Sequence, residues 1–290
     1  MRYFISYGDL NFSESRERIR KEAEQLGLFD GVRIFSPADF TDEFRGNPVL
    51  KYRRGGGYWI WKPYIILKML ETVKDGDLVV YADAGCMLFP SHRWKTYFNV
   101  MAKYDLLAFK LDQICGCYTK KDVLELYYPF IGPYWGHYHQ IAATFLVFKK
   151  SDFTVNLVHE WMITCTEKNV IDVSPECQEI QYKGFVEHRH DQSILSAIIY
   201  KYVDSCRIKI SHHDFEGLRK GQAVLAARLN NDYFLHKHRK YSRGWFKFYI
   251  SSRIRFVLEN LVYVYWKNRN KYVLADAKKE ENDECKIIYK

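Results

Sequence analysis

A chain of 290 residues with 48% apolar and 27% charged residues has the composition of a globular protein, which excludes fibrous and fully disordered classes. Its length suffices for one large domain, or for one domain with an appendage. The net charge of +9 at pH 7 favours an anionic partner such as a nucleotide, a nucleic acid or lipid headgroups.

Three further features favour the cytoplasm. The sequence contains no run of about 18 apolar residues, which is the length that a transmembrane helix needs. It begins with a strand-like segment and not with a signal peptide. The seven cysteines are odd in number and scattered, as expected for free thiols in a reducing compartment. We therefore expect a cytoplasmic protein.

Apolar and amphipathic segments alternate along the first 210 residues. Residues 2–7 predict a strand, and residues 13–26 predict an amphipathic helix that ends at Gly27. Pro63 suits the first turn of a helix. Strands that alternate with helices predict an α/β fold with a mostly parallel sheet flanked by helices. The predicted strands span 2–7, 32–35, 77–82, 106–110, 142–148 and 207–210, and the predicted helices span 13–26, 63–73, 92–103, 122–128, 152–166 and 191–202.

The composition changes after Asp232. Residues 233–258 include seven Lys or Arg residues and no acidic residue, interleaved with aromatic residues. From Phe246 to Val264, apolar residues recur at helical spacing, which fits a helix lying on an anionic membrane surface or one packed on the rest of the chain. No nucleic-acid-binding motif accompanies the charge, so we expect no nucleic-acid partner.

These patterns divide the chain into a domain of residues 1–240 and a basic, aromatic helical extension of residues 241–290. The extension predicts a cytoplasmic protein that is peripheral on the inner face of the membrane.

The glycine run at residues 55–57 is flanked by Arg53, Arg54 and Lys62. Bare backbone beside positive charge suits a phosphate group, and such charges stabilise a diphosphate as a leaving group. A solvated basic loop would have the same composition. Trp61 lies in the same segment and is a candidate for stacking on a base or a sugar.

Two carboxylates occupy positions where α/β enzymes place ligands. The apolar run 78–82 leads into Asp83, and ligands in open α/β sheets bind beyond the carboxyl ends of the strands. A turn or a helix cap is the alternative role of Asp83. Asp191 stands at the start of a predicted helix, where it is either an N-cap or a functional carboxylate.

Three motifs follow one another at residues 55–63, 83–86 and 190–193: a Gly-x-Gly-Tyr-Trp-x-Trp-Lys-Pro segment, Asp-Ala-Gly-Cys and His-Asp-Gln-Ser. In this order they resemble the GT-A glycosyltransferases, in particular the bacterial-type capsule and lipopolysaccharide transferases, over roughly residues 1–240. The resemblance implies a GT-A-like, Rossmann-like fold. It also implies an enzyme that transfers a sugar from a nucleotide-sugar donor, a UDP-sugar, to a hydroxyl group of a growing cell-surface glycan, free or lipid-linked.

The resemblance also implies roles for individual residues. Asp191 would bind donor-sugar hydroxyls or accept the acceptor proton, and Lys62 would stabilise the leaving diphosphate. The donor-binding residues that it implies are Ser6, Tyr7, Arg53, Arg54, Trp61, Lys62, Asp83, Ala84, Gly85 and Gln192.

A divalent cation, Mn²⁺ or Mg²⁺, is implied as a cofactor. Asp83 stands where related folds have an Asp-x-Asp motif, but position 85 is Gly and position 81 is Tyr, so one carboxylate is present. In glycogenin-like members a late histidine completes the metal site, and His236 or His238 is similarly placed. Neutral imidazole ligates Mn²⁺, although a histidine in a basic surface run fits the sequence equally well. Either the metal takes ligands from elsewhere or there is no metal.

Two other functions remain open at this point. A sugar-phosphate nucleotidyltransferase would share the sheet, but should carry a glycine-rich signature directly after the first strand, and Ser6-Tyr7-Gly8-Asp9 is not one. A non-catalytic basic module that binds a membrane or a nucleic acid would need only the charge.

Overall fold

A computed structural model describes residues 1–173, 181–217 and 219–231. The predicted extension, residues 241–290, lies outside the described residues and stays a prediction. None of the helices in the described ranges combines the length and the apolar character that a bilayer-spanning segment requires.

A mixed sheet forms the centre of the described part, in the strand order β2-β1-β3-β7-β5-β8, with β6 pairing beside the far end of β5. Neighbours β1 and β2, β1 and β3, and β5 and β8 run parallel, whereas β7 is antiparallel to both β3 and β5. The strands are β1 (Arg2–Tyr7), β2 (Gly31–Phe35), β3 (Leu78–Ala82), β4 (Met87–Leu88), β5 (Leu106–Ile114), β6 (His139–Ile141), β7 (Phe145–Lys149), β8 (Ile208–His212) and β9 (Val224–Leu225).

Helices cover both faces of this sheet. The predicted α/β fold with a mostly parallel sheet is thus confirmed, and the antiparallel β6 and β7 are the departures from it. The helices are α1 (Ser13–Leu26), α2 (Asp42–Arg45), α3 (Gly55–Tyr58), α4 (Trp61–Thr72), α5 (Arg93–Val100), α6 (Cys115–Tyr118), α7 (Lys121–Ile131), α8 (Asp152–Thr166), α9 (Lys168–Ile171) and α10 (Asp191–Lys201).

The hydrophobic core has two layers because the strands are buried on both faces. Along β3, Val79 and Tyr81 pack with α4, α8 and α10, whereas Val80 and Ala82 pack with α1 and α5. Alternate side chains of a strand point to opposite faces, so a strand covered on both sides reads as a continuous apolar run. This is why the run at 78–82 predicted a central strand correctly.

Arg18 holds the turn after β3 through hydrogen bonds to its backbone. Its guanidinium group donates to the carbonyl oxygens of Ala84, at 2.8 Å, and Cys86, at 2.7 Å. A Cβ atom on Gly85 would lie 3.0 Å from the backbone nitrogen of Leu229, so only glycine fits at this position without displacing the chain. The close approach therefore accounts for glycine at position 85, where the resemblance would place a second aspartate.

The glycine run forms a left-handed turn. Five successive residues have positive φ angles: Gly55 at 60°, Gly56 at 58°, Gly57 at 93°, Tyr58 at 53° and Trp59 at 62°. Side chains with a Cβ atom rarely adopt this region, and the two aromatic residues do so at the end of the turn. The turn leads directly into α4, and so it sets where Lys62 lies.

Gly57 is the position in this turn where an added Cβ atom would meet the backbone of another segment. A Cβ atom there would lie 2.7 Å from Cα of Leu50. Gly76 has a similar φ of 84°, but nothing lies within 4 Å of a Cβ atom built on it.

We predict that Gly57→Ala lowers the free energy of unfolding by about 1–3 kcal/mol more than Gly76→Ala, because only the first substitution adds overpacking to backbone strain. Urea denaturation of both variants measures the difference. Equal losses would show that Leu50 moves aside freely.

Candidate functional site

Three charged side chains meet at the carboxyl end of β3. The ammonium nitrogen of Lys62 lies 3.2 Å from Oδ1 of Asp83 and 3.2 Å from Oδ2 of Asp191. The side chains of Lys62 and Asp191 are only 4% and 5% exposed, whereas that of Asp83 is 35% exposed. One buried cation therefore joins a buried carboxylate to one that faces solvent. We call these three residues the lysine–aspartate cluster.

Each member of the cluster comes from a different element. Asp83 directly follows β3, Lys62 is the second residue of α4, and Asp191 is the first residue of α10. Asp191 is not an N-cap: His190 precedes the helix, and its side chain makes no capping hydrogen bond. The side chain of Asp191 pairs with Lys62 instead, and its role in binding or catalysis stays a prediction.

The pKa of Asp191 is raised to about 6, chiefly because burial disfavours its charged form. The charge of Asp83 acts in the same direction, whereas Lys62 opposes the shift. Burial also disfavours the ammonium group of Lys62, but Asp191 and Asp83 raise its pKa above the usual value. At neutral pH Lys62 thus keeps its proton, and Asp191 is close to its titration point.

Tyr81 supports Asp83 from within the strand. Its hydroxyl group donates a hydrogen bond to Oδ1 of Asp83, the oxygen that Lys62 also contacts. Burial and the carboxylate of Asp83 raise the pKa of Tyr81 well above its usual value, so the hydroxyl stays protonated. One oxygen of Asp83 is therefore held by two partners.

A stack of aromatic rings connects the glycine turn to α10. The ring of His190 lies parallel to that of Tyr58, with 4.2 Å between the centroids, and its Nδ1 lies 3.0 Å from the carbonyl oxygen of Ile171. His190 itself has a φ of 47° and a ψ of −118°, a strained conformation for a residue with a side chain. The hydroxyl of Tyr58 donates to buried Asp172 at 3.2 Å. These contacts fix the residue before Asp191 against the turn before Lys62.

Gln192 extends the site along β6. Its Nε2 donates to Oε1 of Gln140 at 3.1 Å, and Nε2 of Gln140 donates to the hydroxyl of Thr119 at 2.9 Å. Gln140 is fully buried, so the side chain of Gln192 is tied to a partner in the protein interior.

Several predicted donor-binding side chains lie in the packing below the cluster. Ser6 is fully buried, and its hydroxyl donates to the carbonyl oxygen of Ala82 at 2.7 Å. Tyr7 is 8% exposed and stacks on both Trp61, at 4.0 Å, and Phe40, at 5.6 Å. Trp61 is 7% exposed. Neither ring presents an open face for a base, because each is more than 90% buried.

The glycine run does not offer open amides either. The backbone N–H groups of Gly56, Gly57 and Tyr58 donate to carbonyl oxygens of residues 52–54. Arg53 and Arg54 are exposed, and Arg54 pairs with Glu187 at 3.2 Å. Of the predicted phosphate-binding features of this segment, Lys62 is the one that the structure brings to Asp83 and Asp191.

A metal site does not form from the described residues alone. No group of three or more His, Cys, Asp or Glu side chains in residues 1–173, 181–217 and 219–231 is arranged to hold an ion. Asp83 offers one partly exposed carboxylate, beside the ammonium group of Lys62, and a cation prefers several oxygen ligands. The other predicted ligands, His236 and His238, lie outside the described residues. The predicted metal site stays a prediction.

Sequence reasoning missed the residues that support the cluster. Tyr81 could have been found, because residues i and i+2 of a strand share a face and Asp83 follows in that register. Gln140 and Asp172 carry no local signal, since each acts on a residue more than 50 positions away, Gln192 and Tyr58 respectively.

The sequence matches no protein-family model and no curated protein. Among solved structures, it is similar to the galactosyltransferase LgtC in complex with donor and acceptor sugar analogs, with 15% identity and a TM-score of 0.42 over 74% of this chain and 75% of that chain. Mouse xyloside xylosyltransferase 1 has 12% identity and a TM-score of 0.39 over 76% and 89%.

A third structure belongs to another class of enzyme. The 4-diphosphocytidyl-2C-methyl-D-erythritol synthase from Anaerococcus prevotii has 12% identity and a TM-score of 0.36 over 77% of this chain and 93% of that chain. The chemistry proposed below rests on the residues of this chain's own site.

We predict that the carboxyl group of Asp191 titrates near pH 6 and that its two neighbours move this pKa in opposite directions. Lys62→Met should raise the pKa, because the opposing positive charge is lost. Asp83→Asn should lower it, because a repelling negative charge is lost. Carboxyl ¹³C NMR of aspartate-labelled protein measures the titration, with Asp191→Asn assigning the signal. A pKa that neither substitution moves would disprove the coupling.

Proposed function

We propose that the protein is a glycosyltransferase that transfers a sugar from a nucleotide-sugar donor, a UDP-sugar, to a hydroxyl group of a growing cell-surface glycan. The observation that carries the proposal is the buried ammonium group of Lys62, within 3.2 Å of both Asp83 and Asp191. Glycosyl transfer needs a proton acceptor for the attacking hydroxyl group and positive charge for the departing diphosphate. The cluster offers both within one side-chain length.

Asp191 is the proposed proton acceptor. A general base works best when its pKa lies near the operating pH, and burial raises that of Asp191 to about 6. At neutral pH most of the carboxyl group is ionised and ready to take the proton of an acceptor hydroxyl. The rate should therefore rise as the pH increases through about 6 and level off above it.

Lys62 is the proposed stabiliser of the leaving group. Its ammonium group is desolvated and fixed by two carboxylates, so it needs little reorganisation when charge develops on a phosphate oxygen. Asp83 is the most exposed member of the cluster, which makes it the one that can contact the donor first. Arg53 and Arg54, exposed at the glycine turn, supply further positive charge for the diphosphate.

The nucleotidyltransferase alternative has less support in the loop after β1. Gly8 there is packed, since a Cβ atom on it would lie 2.8 Å from side-chain atoms of both Arg16 and Phe12. A glycine packed against neighbouring side chains has no room to bind the phosphates of a nucleoside triphosphate. A donor screen separates the glycosyltransferase from the nucleotidyltransferase. Hydrolysis of a UDP-sugar supports the glycosyltransferase. Release of pyrophosphate from a nucleoside triphosphate and a sugar phosphate would overturn it.

We predict that Asp191→Asn lowers kcat on the order of 10²–10⁴-fold with little change in donor affinity, because the amide keeps the shape but cannot accept a proton. Asp83→Ala should abolish transfer. UDP-sugar turnover and donor binding by calorimetry measure both effects.

Asp77 provides the matched control. It flanks the opposite end of β3, is 6% exposed and pairs with the N-terminal amine. Asp77→Asn should alter stability but leave kcat of the folded protein unchanged. Turnover at the wild-type rate by folded Asp83→Ala protein would end the assignment of Asp83.

A metal requirement is proposed as well. If a divalent cation is used, Asp83 would be its ligand in the described part of the chain, and the cation would supply additional charge for the diphosphate. We predict that activity is lost on chelation and restored by Mn²⁺ or Mg²⁺, and that His236→Ala or His238→Ala weakens the apparent metal affinity. Full activity after exhaustive chelation would leave Lys62 as the cation of the reaction.

Membrane attachment is proposed from the sequence of residues 233–264 alone. Its seven basic residues would each contribute about 1 kcal/mol near an anionic surface, with incomplete additivity. We predict that co-sedimentation with anionic vesicles weakens with salt and falls when the segment beyond Arg243 is removed. Equal partitioning of full-length and truncated protein would contradict this placement on the inner face of the membrane.

A further inference from the structure

One uncharged segment of the chain is partly exposed. Residues 126–148 include no Lys, Arg, Asp or Glu, in a protein where 27% of residues are charged. Part of this stretch is exposed: Phe130 is 60%, Tyr134 is 56% and Tyr138 is 38% accessible. We call these three rings the aromatic surface. Exposed apolar groups that cluster in this way mark interaction sites.

Two of the three rings, those of Phe130 and Tyr138, lie at one end of α10. Phe130 lies under the ammonium group of Lys201, at 4.7 Å, and the ring of Tyr138 lies 4.9 Å from that of Tyr200. Because Tyr200 and Lys201 are consecutive residues, the loop that carries Tyr134 begins and ends beside the last turn of α10.

The loop is anchored by its buried residues. Trp135 is 2% exposed, and its indole nitrogen donates to the carbonyl oxygen of Leu124 at 3.0 Å. The backbone of Gly136 approaches Gly116 so closely that a Cβ atom on Gly116 would lie 3.0 Å from its carbonyl oxygen. A surface fixed in this way loses little conformational entropy when it binds a ligand.

The aromatic surface and the lysine–aspartate cluster are joined through β6 and α10. Tyr138 leads into β6, where Gln140 accepts a hydrogen bond from Gln192, the neighbour of Asp191. Along α10 itself, Asp191 and Tyr200 stand at opposite ends, about 14 Å apart by helix geometry. A ligand longer than one sugar unit could therefore span both.

We propose that the aromatic surface binds the uncharged, distal part of the acceptor glycan, an inference that rests on the proposed function. The faces of aromatic rings pack against the apolar C–H faces of sugars. The chemistry selects against an anionic ligand: the nearby cation, Lys201, is already paired with Glu160 at 2.9 Å. The partner is thus a neutral oligosaccharide chain.

Three variants of the full-length chain test the proposal on an array of neutral oligosaccharides. Tyr134→Phe keeps the ring, and Tyr134→Leu keeps an apolar side chain without it. Tyr182→Leu is the matched control, because Tyr182 is 49% exposed but lies outside the aromatic surface. We expect wild type, Tyr134→Phe and Tyr182→Leu to bind alike, and Tyr134→Leu to bind roughly tenfold more weakly.

The outcomes that overturn the proposal are distinct. They are the absence of binding to every neutral glycan, or equal binding by Tyr134→Leu and Tyr182→Leu. Binding to phosphatidylcholine vesicles that is lost in Tyr134→Leu, with glycan binding intact, would make the surface a membrane contact instead.

Donor hydrolysis separates this inference from the proposed function. Without an acceptor, Tyr134→Leu should hydrolyse a UDP-sugar at the wild-type rate, because Tyr134 belongs to the aromatic surface and not to the cluster. If wild-type protein hydrolyses no UDP-sugar, the proposed function fails. If it does so and the Tyr134 variants transfer normally to a long acceptor, only the aromatic surface fails.

Discussion

The burial of the Lys62 ammonium group is the constraint on which the site depends. A desolvated charge is costly unless opposite charges compensate for it, and removing one partner of a buried pair leaves the other uncompensated. Lys62 therefore needs Asp83 and Asp191 close by, each within 3.2 Å. The three elements that carry these residues must meet at one point, the carboxyl end of the central strand β3.

The surrounding backbone carries the strain of this arrangement. The left-handed turn ends in Tyr58 and Trp59, and His190 adopts a positive φ beside them. The parallel stacking of Tyr58 on His190 joins the two strained segments, one leading to Lys62 and the other to Asp191. Strain that persists beside a charged cluster is typical of a site whose geometry serves chemistry and not stability.

Much of this architecture follows from local sequence. The run 78–82 predicted a strand because a strand buried on both faces is continuously apolar. The helix at 152–166 could be predicted because Ser151 caps it. Lys62, Asp83 and Asp191 were each singled out by motif. That the ammonium group of Lys62 contacts both carboxylates was not predictable, because its contact with Asp191, more than 100 residues away, depends on packing.

Packing also gives two other sequence patterns a structural explanation. Tyr7 and Trp61 look like ligand-stacking rings in sequence, yet they stack on each other in the core. The glycines at 55–57 look like a phosphate loop, yet their backbone makes a left-handed turn that bonds to itself. Local composition identifies a special segment, whereas its partners decide whether the segment is exposed.

The most direct test of the account is a double-mutant cycle between Lys62 and Asp191 on UDP-sugar turnover. Groups that act as one unit lose activity non-additively. The account predicts that Lys62→Met and Asp191→Asn each reduce kcat strongly and that the double variant is no slower than the slower single variant. Losses that multiply in the double variant, or wild-type protein that turns over no UDP-sugar, would contradict it.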